Sequence, residues 1–251
     1  HSATAGAPSA APAPQRPLPL VQPRQWQTQL IQLLQRRLER PGSHDVLINA
    51  GPGAGKTLGA LLSFERLQRQ GQLQRFLVFC HRSSIASQWR LTAERLQLRL
   101  AEWQPGGSAG ALWQQSDGLL LTYQAAGRNL EALQAQLGEL PNHSWLAIAD
   151  EVHHLGLDPE EPEATAWGHA FSQLSGAARL RLGLTGTPFR ADNLAFCAAR
   201  RIQVHDGQDW VEQIAPDLSI EPRELIAAGD VRPLEFRFQD GWVEHGRDGA
   251  Q

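Results

Sequence analysis

Short apolar runs alternate with longer segments of helical periodicity through most of the chain. The apolar runs predict buried strands at 46–48, 76–80, 119–121 and 145–149, and 180–184 is predicted as one more strand. Apolar residues at helical spacing predict helices at 26–38, 58–64, 85–96 and 130–137, and a further helix that ends near 175. Because strands alternate with helices, the pattern predicts an α/β fold whose mostly parallel sheet is covered by helices on both faces.

The N-terminal end of the chain lacks this pattern. Residues 1–20 contain six alanines and five prolines, which predicts a disordered segment. Hydrophobic residues make up 41% of the chain, which is enough for a large core, and the net charge is −3. Since there is no general basic excess, any nucleic-acid surface must be local. Two cysteines without a signal peptide or a long apolar run predict a cytoplasmic protein with no membrane partner.

The first strong motif follows the strand predicted at 46–48. It is Ala50-Gly51-Pro52-Gly53-Ala54-Gly55-Lys56-Thr57, and a helical segment comes directly after it. Strand, glycine-rich loop and helix in this order predict a P-loop, whose backbone N–H groups bind phosphates. We expect Gly51, Gly53, Ala54 and Gly55 to contact the nucleotide, Lys56 to reach its β- and γ-phosphates, and Thr57 to hold Mg²⁺. Lys56 is the one lysine among 23 basic residues, which indicates a need for a compact ammonium group there.

Two further motifs follow later strands. Asp150-Glu151-Val152-His153 comes directly after 145–149. We expect Asp150 to bind Mg²⁺ and Glu151 to orient and activate the attacking water. Thr185-Gly186-Thr187 follows 180–184, and its hydroxyl groups are expected to hydrogen-bond His153 and the γ-phosphate region, which would tie hydrolysis to movement. A zinc site at the adjacent histidines is not expected, because no third ligand stands at a usable spacing.

Together these motifs resemble the first RecA-like domain of superfamily 2 helicases and translocases of the DExH group. The resemblance extends over roughly 22–240, with motif I at 50–57, motif II at 150–153 and motif III at 185–187. It implies an ATP hydrolase that uses MgATP to move along or unwind DNA or RNA, with DNA favoured. The family more often has alanine at the position of Gly186.

Weaker parts of the resemblance imply further contacts. The segment 23–27 resembles the one that binds adenine, which makes Gln27 the expected base reader. Segments 78–83 and 121–124 resemble motifs Ia and Ib, which face the nucleic-acid backbone. The residues expected to contact that backbone are Arg82, Thr122, Tyr123 and Arg190.

The resemblance also divides the chain. Residues 21–230 are expected to form the RecA-like domain, and 231–251 to begin a linker to a second RecA-like domain of the same full-length protein. A single RecA-like domain holds half of the ATP site, so weak hydrolysis is expected.

Two alternatives remain. An AAA+ ATPase that remodels proteins would accept the glycine-rich motif, but it would carry an asparagine-type sensor where Thr185 stands. A non-catalytic binding module is the other, and the intact set Lys56, Thr57, Asp150 and Glu151 argues against it.

Overall fold

The computed structural model of the protein describes residues 23–40, 44–51, 55–81, 83–138, 144–156, 162–186 and 201–220. Several predictions fall outside these ranges. They are the contacts assigned to Gly53, Ala54, Arg82, Thr187 and Arg190, together with the terminal segments 1–20 and 231–251.

Helices and strands alternate along the described chain, as the sequence predicts. The helices are α1 (Gln25–Glu39), α2 (Lys56–Arg69), α3 (Ser83–Arg95), α4 (Ala109–Gln115), α5 (Tyr123–Arg128), α6 (Leu130–Gly138) and α7 (Ala164–Leu174), with a 3₁₀ turn at Val152–His154. The strands are β1 (Asp45–Ala50), β2 (Arg75–Cys80), β3 (Leu100–Glu102), β4 (Gly118–Thr122), β5 (Trp145–Ala149), β6 (Leu180–Thr185), β7 (Arg201–Asp206), β8 (Asp209–Ile214) and β9 (Leu218–Ile220).

Seven of these strands form one sheet in the order β3-β4-β2-β5-β6-β1-β9. Every pair of neighbours in this sheet is parallel. β7 and β8 form a separate antiparallel hairpin, in which Asp206 pairs with Asp209 across a turn. The predicted α/β class and parallel sheet are therefore confirmed.

Helices cover the large sheet on both faces. Phe76, Val78 and Cys80 of β2 belong to a buried cluster with side chains of α1, α2 and α3. Leu77 and Phe79 belong to a second cluster, with side chains of α4 to α7. Strands buried on both faces need apolar residues at successive positions, which explains why short unbroken apolar runs mark them in the sequence.

The strand order determines where the motifs meet. β5, β6 and β1 are neighbours in the sheet, and each is followed by one of the motifs. Because parallel strands end at the same edge, the segments after Ala50, Ala149 and Thr185 come together there.

As for membranes, none of the described helices combines the length and the apolar character that a bilayer-spanning segment requires.

Candidate functional site

The phosphate-binding motif leads from β1 into helix α2. Gly55 stands just before the helix with a φ of 78°, a left-handed conformation that suits glycine because it has no Cβ atom. Lys56 and Thr57 then open the helix, and both side chains are buried. An ammonium group and a hydroxyl group at a helix N-terminus form a suitable environment for an anion such as phosphate.

Gly51, at the start of the motif, bonds to the neighbouring strand. Its N–H donates to the Ile220 carbonyl oxygen of β9 over 3.3 Å. A phosphate contact by Gly51 therefore stays a prediction. The bond also joins the last described strand to the first residue of the glycine-rich loop.

Asp150 is buried at the end of β5, and hydrogen bonds fix its orientation. Oδ1 accepts from the backbone N–H of Glu151 at 2.9 Å, and Oδ2 accepts from the indole N–H of Trp89 at 3.0 Å. A carboxylate oxygen can accept more than one bond, so such a group can hold protein donors and a cation together. The donor set of Asp150 and the Thr57 hydroxyl therefore fits a hard cation such as Mg²⁺, which prefers oxygen ligands.

Glu151 differs from Asp150 in backbone conformation and in exposure. Its φ of 49° places it in the left-handed region, where a non-glycine residue is strained. Its side chain is 22% exposed. Its Oε1 lies 3.7 Å from Lys56 Nζ, and its Oε2 lies 3.5 Å from His153 Nε2. The carboxylate therefore lies beside the ammonium group at the end of the phosphate-binding loop.

His153 connects the motif after β5 to the motif after β6. Its Nδ1 lies 2.9 Å from the Thr185 hydroxyl, which is the contact that the sequence predicts. Burial, and to a lesser extent the neighbouring His154, Lys56 and His81, together lower the pKa of His153 to about 4. The imidazole is therefore neutral at pH 7, and the tautomer with its proton on Nε2 would satisfy both Thr185 and Glu151.

The segment after β6 also approaches the ammonium group. A Cβ atom added to Gly186 would lie 3.4 Å from the Ala50 carbonyl oxygen and 3.5 Å from Lys56 Nζ. The three motifs thus lie within contact distance of one another.

A second group of possible metal ligands is present beside this site. Ligand atoms of Glu151, His153 and His154 all lie within 4.8 Å of one another. The expectation that the two histidines have no third ligand at a usable spacing is therefore wrong, because the Glu151 carboxylate lies beside them. Three groups are fewer than the four of a closed structural zinc site, and Glu151 already lies near Lys56.

Gln27, the expected adenine reader, is fully buried in the first turn of α1. Its Oε1 accepts from the Arg24 N–H at 2.9 Å, and its Nε2 donates to the Gly55 carbonyl oxygen at 3.2 Å. Gln27 thus links the segment before α1 to the phosphate-binding loop. Contact with a base stays a prediction.

Of the residues expected to contact nucleic acid, Thr122 and Tyr123 are described. Thr122 is half-buried and caps α5, where its hydroxyl accepts from the Ala125 N–H at 3.1 Å. Tyr123 is completely buried, and its hydroxyl donates to the Asp150 carbonyl oxygen at 2.6 Å. A side chain in this position has no surface to offer a strand, so the predicted contact of Tyr123 with nucleic acid is wrong.

Trp89 lies in the helix predicted at 85–96, but its bond to Asp150 was not predicted. One signal was available, because a buried indole N–H almost always has a hydrogen-bond acceptor. The sequence does not tell which acceptor it is.

The sequence is similar to a known protein family and to proteins of two mycobacteria. The family model described as "Type III restriction enzyme, res subunit" matches residues 20–190. The uncharacterized protein Rv2917 of Mycobacterium tuberculosis is 29% identical over 203 residues, which cover 78% of this chain and 31% of that protein. The uncharacterized protein ML1624 of Mycobacterium leprae has the same identity and coverage. The chain thus spans about a third of the length of these relatives.

Two solved structures share the fold. The SWI2/SNF2 ATPase core of Sulfolobus solfataricus, in complex with double-stranded DNA, superposes with a TM-score of 0.55 at 21% identity, covering 70% of this chain and 35% of that one. The Hef helicase domain of Pyrococcus furiosus superposes with a TM-score of 0.51 at 21% identity, covering 71% and 36%. At this identity the likeness concerns the fold.

Proposed function

The chain belongs to the family of type III restriction enzyme res subunits, and from this membership we infer that its site binds MgATP in order to drive movement on nucleic acid. The chain is the RecA-like domain of a superfamily 2 helicase-type ATPase. The AAA+ alternative receives no support from the family match or from the neighbouring folds. The DExH subgroup, based on Asp150 to His153, belongs to the proposal.

The observation that carries the proposal is the convergence of Lys56, Asp150 and Glu151 at one edge of the sheet. Lys56 places a buried positive charge 3.7 Å from Glu151, at the N-terminus of α2. We assign nucleotide phosphates to Lys56 and to the loop before it, and Mg²⁺ to Thr57 and Asp150. When bound, the ion would neutralise charge on the phosphate oxygens.

Glu151 is assigned as the group that orients and activates the attacking water. Its carboxylate is partly exposed, and a water molecule can reach it. The Lys56 ammonium group lies 3.7 Å from one of its oxygens, at the end of the phosphate-binding loop. The neutral His153 would hold the second oxygen of Glu151 and, through Thr185, would pass changes at the phosphates to the segment after β6.

The nucleic-acid surface is assigned to the segments that follow β2 and β4, through Arg82 and Thr122. Arg190 is proposed as a third contact. Hydroxyl and guanidinium groups bind phosphates without reading bases, so the contact should be insensitive to sequence. DNA is favoured over RNA, because the description of the matching family names a restriction enzyme.

A second RecA-like domain is proposed to complete the ATP site in the whole protein. A single domain of this type supplies the phosphate-binding loop but no opposing positive charge for the transferred phosphate. Hydrolysis by the 251-residue chain alone is therefore expected to be slow.

The test is the rate of ATP hydrolysis with and without DNA, measured on the protein that also contains the proposed second domain. We expect stimulation by strands of unrelated sequence, and loss of the stimulation in Arg82→Ala. For the 251-residue chain alone, fluorescence anisotropy at two salt concentrations should give dissociation constants on the order of 10⁻⁵ M or weaker. ATP hydrolysis that ignores nucleic acid but responds to a folded protein substrate would support a remodelling ATPase instead.

A further inference from the structure

Two buried side chains approach Asp150 from the interior of the domain. Trp89 of α3 donates its indole N–H to Oδ2 at 3.0 Å, and Tyr123 of α5 donates its hydroxyl to the backbone carbonyl oxygen at 2.6 Å. Both donors are completely buried. These two bonds are not needed to explain phosphate binding or water activation, so they call for an explanation of their own.

Both bonds lie in the buried core, where a hydrogen bond is stronger than in water. The bond from Trp89 ends on a carboxylate in a water-excluded place, where a charge-assisted hydrogen bond is stronger than a neutral one. Burial raises the pKa of Tyr123, and the nearby Asp150 raises it further, so the hydroxyl keeps its proton and remains a donor. Neither side chain can rotate freely, because each is packed in the core on one side of the sheet.

The two donors reach Asp150 from opposite faces of the sheet. Trp89 belongs to the buried cluster formed with α1, α2 and α3, whereas Tyr123 belongs to the cluster formed with α4 to α7. The ring of Tyr123 lies parallel to that of Phe79 on the intervening strand β2, with centroids 6.3 Å apart. Asp150 is therefore held between two independent parts of the core.

The elements that carry the donors begin where we place nucleic acid. α3 follows β2 directly and starts beside Arg82, and α5 starts at Tyr123 itself, directly after Thr122. A shift of either segment on binding a strand would move a donor of Asp150. Ligand contacts can change a distant site only through such physical connections.

We propose that Trp89 and Tyr123 are positioning residues that hold Asp150 in the orientation required for Mg²⁺-dependent nucleotide binding and connect it to the two nucleic-acid-facing segments. The second part rests on the proposed function. The first part concerns the ATP site alone and can be tested without nucleic acid.

The first experiment measures the affinity of the 251-residue chain for a fluorescent ADP analogue, with Mg²⁺ and with EDTA. In the wild type, Mg²⁺ should tighten binding. In Trp89→Phe, which keeps an aromatic ring but loses the donor, we expect the gain from Mg²⁺ to fall by about tenfold, as is typical when an outer-shell partner of a metal ligand is removed. Affinity in EDTA should stay within about twofold of wild type, because Lys56 is untouched.

Trp103→Phe is the matched control. Trp103 is also buried, and its indole N–H also donates to an oxygen atom, the Gly107 carbonyl at 3.3 Å. It directly follows β3, which β4 and β2 separate from β5 in the sheet. A general loss of packing would affect both variants alike. Tyr123→Phe removes a single oxygen atom from the only tyrosine of the chain and leaves its ring packing in place. Its gain in affinity from Mg²⁺ therefore tests the role of the buried donors even when Trp89→Phe does not fold.

The second experiment measures DNA stimulation of ATP hydrolysis in the two-domain protein. Tyr123→Phe and Trp89→Phe should lower the ratio of stimulated to basal rate, and Trp103→Phe should not. A wild type that DNA fails to stimulate contradicts the proposed motor function, whereas the Mg²⁺ measurement still decides the role of the two donors. Folded Trp89→Phe and Tyr123→Phe variants with an unchanged gain from Mg²⁺ would overturn the inference.

Discussion

Asp150 and Glu151 are adjacent in the sequence, yet their carboxylates lie in opposite surroundings. Asp150 is 1% exposed and accepts hydrogen bonds from Trp89 and from the backbone of Glu151. The Glu151 side chain is 22% exposed, its backbone is strained, and its neighbours Lys56 and His153 lie at 3.7 and 3.5 Å. One carboxylate is fixed from within the core, and the other is held loosely at the surface.

The difference matches what each role demands. A metal ligand must be held in one orientation, and rigid hydrogen bonds from the core provide this. A group that activates water must be reached by water and must adjust as the proton moves, and hydrogen bonds at such sites are often long before substrate binds. The strained φ of Glu151 turns the chain so that two successive carboxylates can face different environments.

The largest effect on this difference between the two carboxylates is expected when the exposed one, Glu151, is replaced. Glu151→Gln keeps the size of the side chain and leaves Asp150 in place, but it removes the base. ATP turnover in the two-domain protein should fall by about 10² to 10⁴-fold, while nucleotide affinity stays near wild type. Steady-state hydrolysis and calorimetric binding measure the two quantities. Turnover at the wild-type rate would show that Glu151 does not activate the water.

The second prediction concerns the pH dependence of stability through His153. In the unfolded chain its pKa returns to about 6.5, whereas in the folded protein burial holds it at about 4. Between these values the unfolded chain binds a proton that the folded protein excludes. The stability linked to His153 is therefore complete above pH 6.5 and is lost as the pH falls toward 4, by roughly 2 to 3 kcal/mol.

Urea unfolding of wild type and His153→Gln at pH 7.5 and 4.5 measures this contribution. The variant should lose less stability than wild type between the two values, since glutamine does not titrate. His169→Gln, at an exposed position of α7, is the control and should behave like wild type. Equal losses in wild type and His153→Gln would show that the burial of His153 does not control its protonation.

The third prediction separates the positive charge of Lys56 from its shape. Lys56→Ala removes the countercharge to the phosphates and should weaken MgADP binding by about tenfold, or 1.4 kcal/mol. Lys56→Arg keeps the charge but should not restore affinity, because the position is 2% exposed and a planar guanidinium is larger than an ammonium group. Calorimetry of both variants provides the measurement. Wild-type affinity in Lys56→Arg would show that charge alone is required.

Much of the fold could be predicted because the central strands are buried on both faces. β1, β2, β4, β5 and β6 are rich in apolar residues, and the chemistry follows three of them directly. Short elements were missed for physical reasons. β3 and β9 have three residues each at the edges of the sheet, and α4 and α5 are too short for a helical period to stand out.

The hairpin of β7 and β8 was missed although its signal was present. Apolar and polar residues alternate along β7, and a glycine stands at the first position of the two-residue loop that follows it, which is a hairpin signal. Gly207 has the positive φ of 65° that such turns require. The partners of Asp150 could not be predicted in the same way, since Trp89 and Tyr123 are brought together only by the strand order.

The smallest effect is expected at Gly186, beside Lys56. Alanine there would place its Cβ at ordinary contact distance from the Ala50 carbonyl oxygen and Lys56 Nζ, at 3.4 and 3.5 Å. Gly186→Ala should therefore change the free energy of unfolding by less than about 0.5 kcal/mol and leave MgADP affinity within about twofold. Gly59→Ala is the contrasting variant, because its Cβ would lie 2.6 Å from the ring of Trp26 and should cost about 1 to 3 kcal/mol. Urea unfolding of both variants tests the pair. A Gly186→Ala protein as unstable as Gly59→Ala would mean that the segment after β6 packs against Lys56 more tightly than these distances indicate.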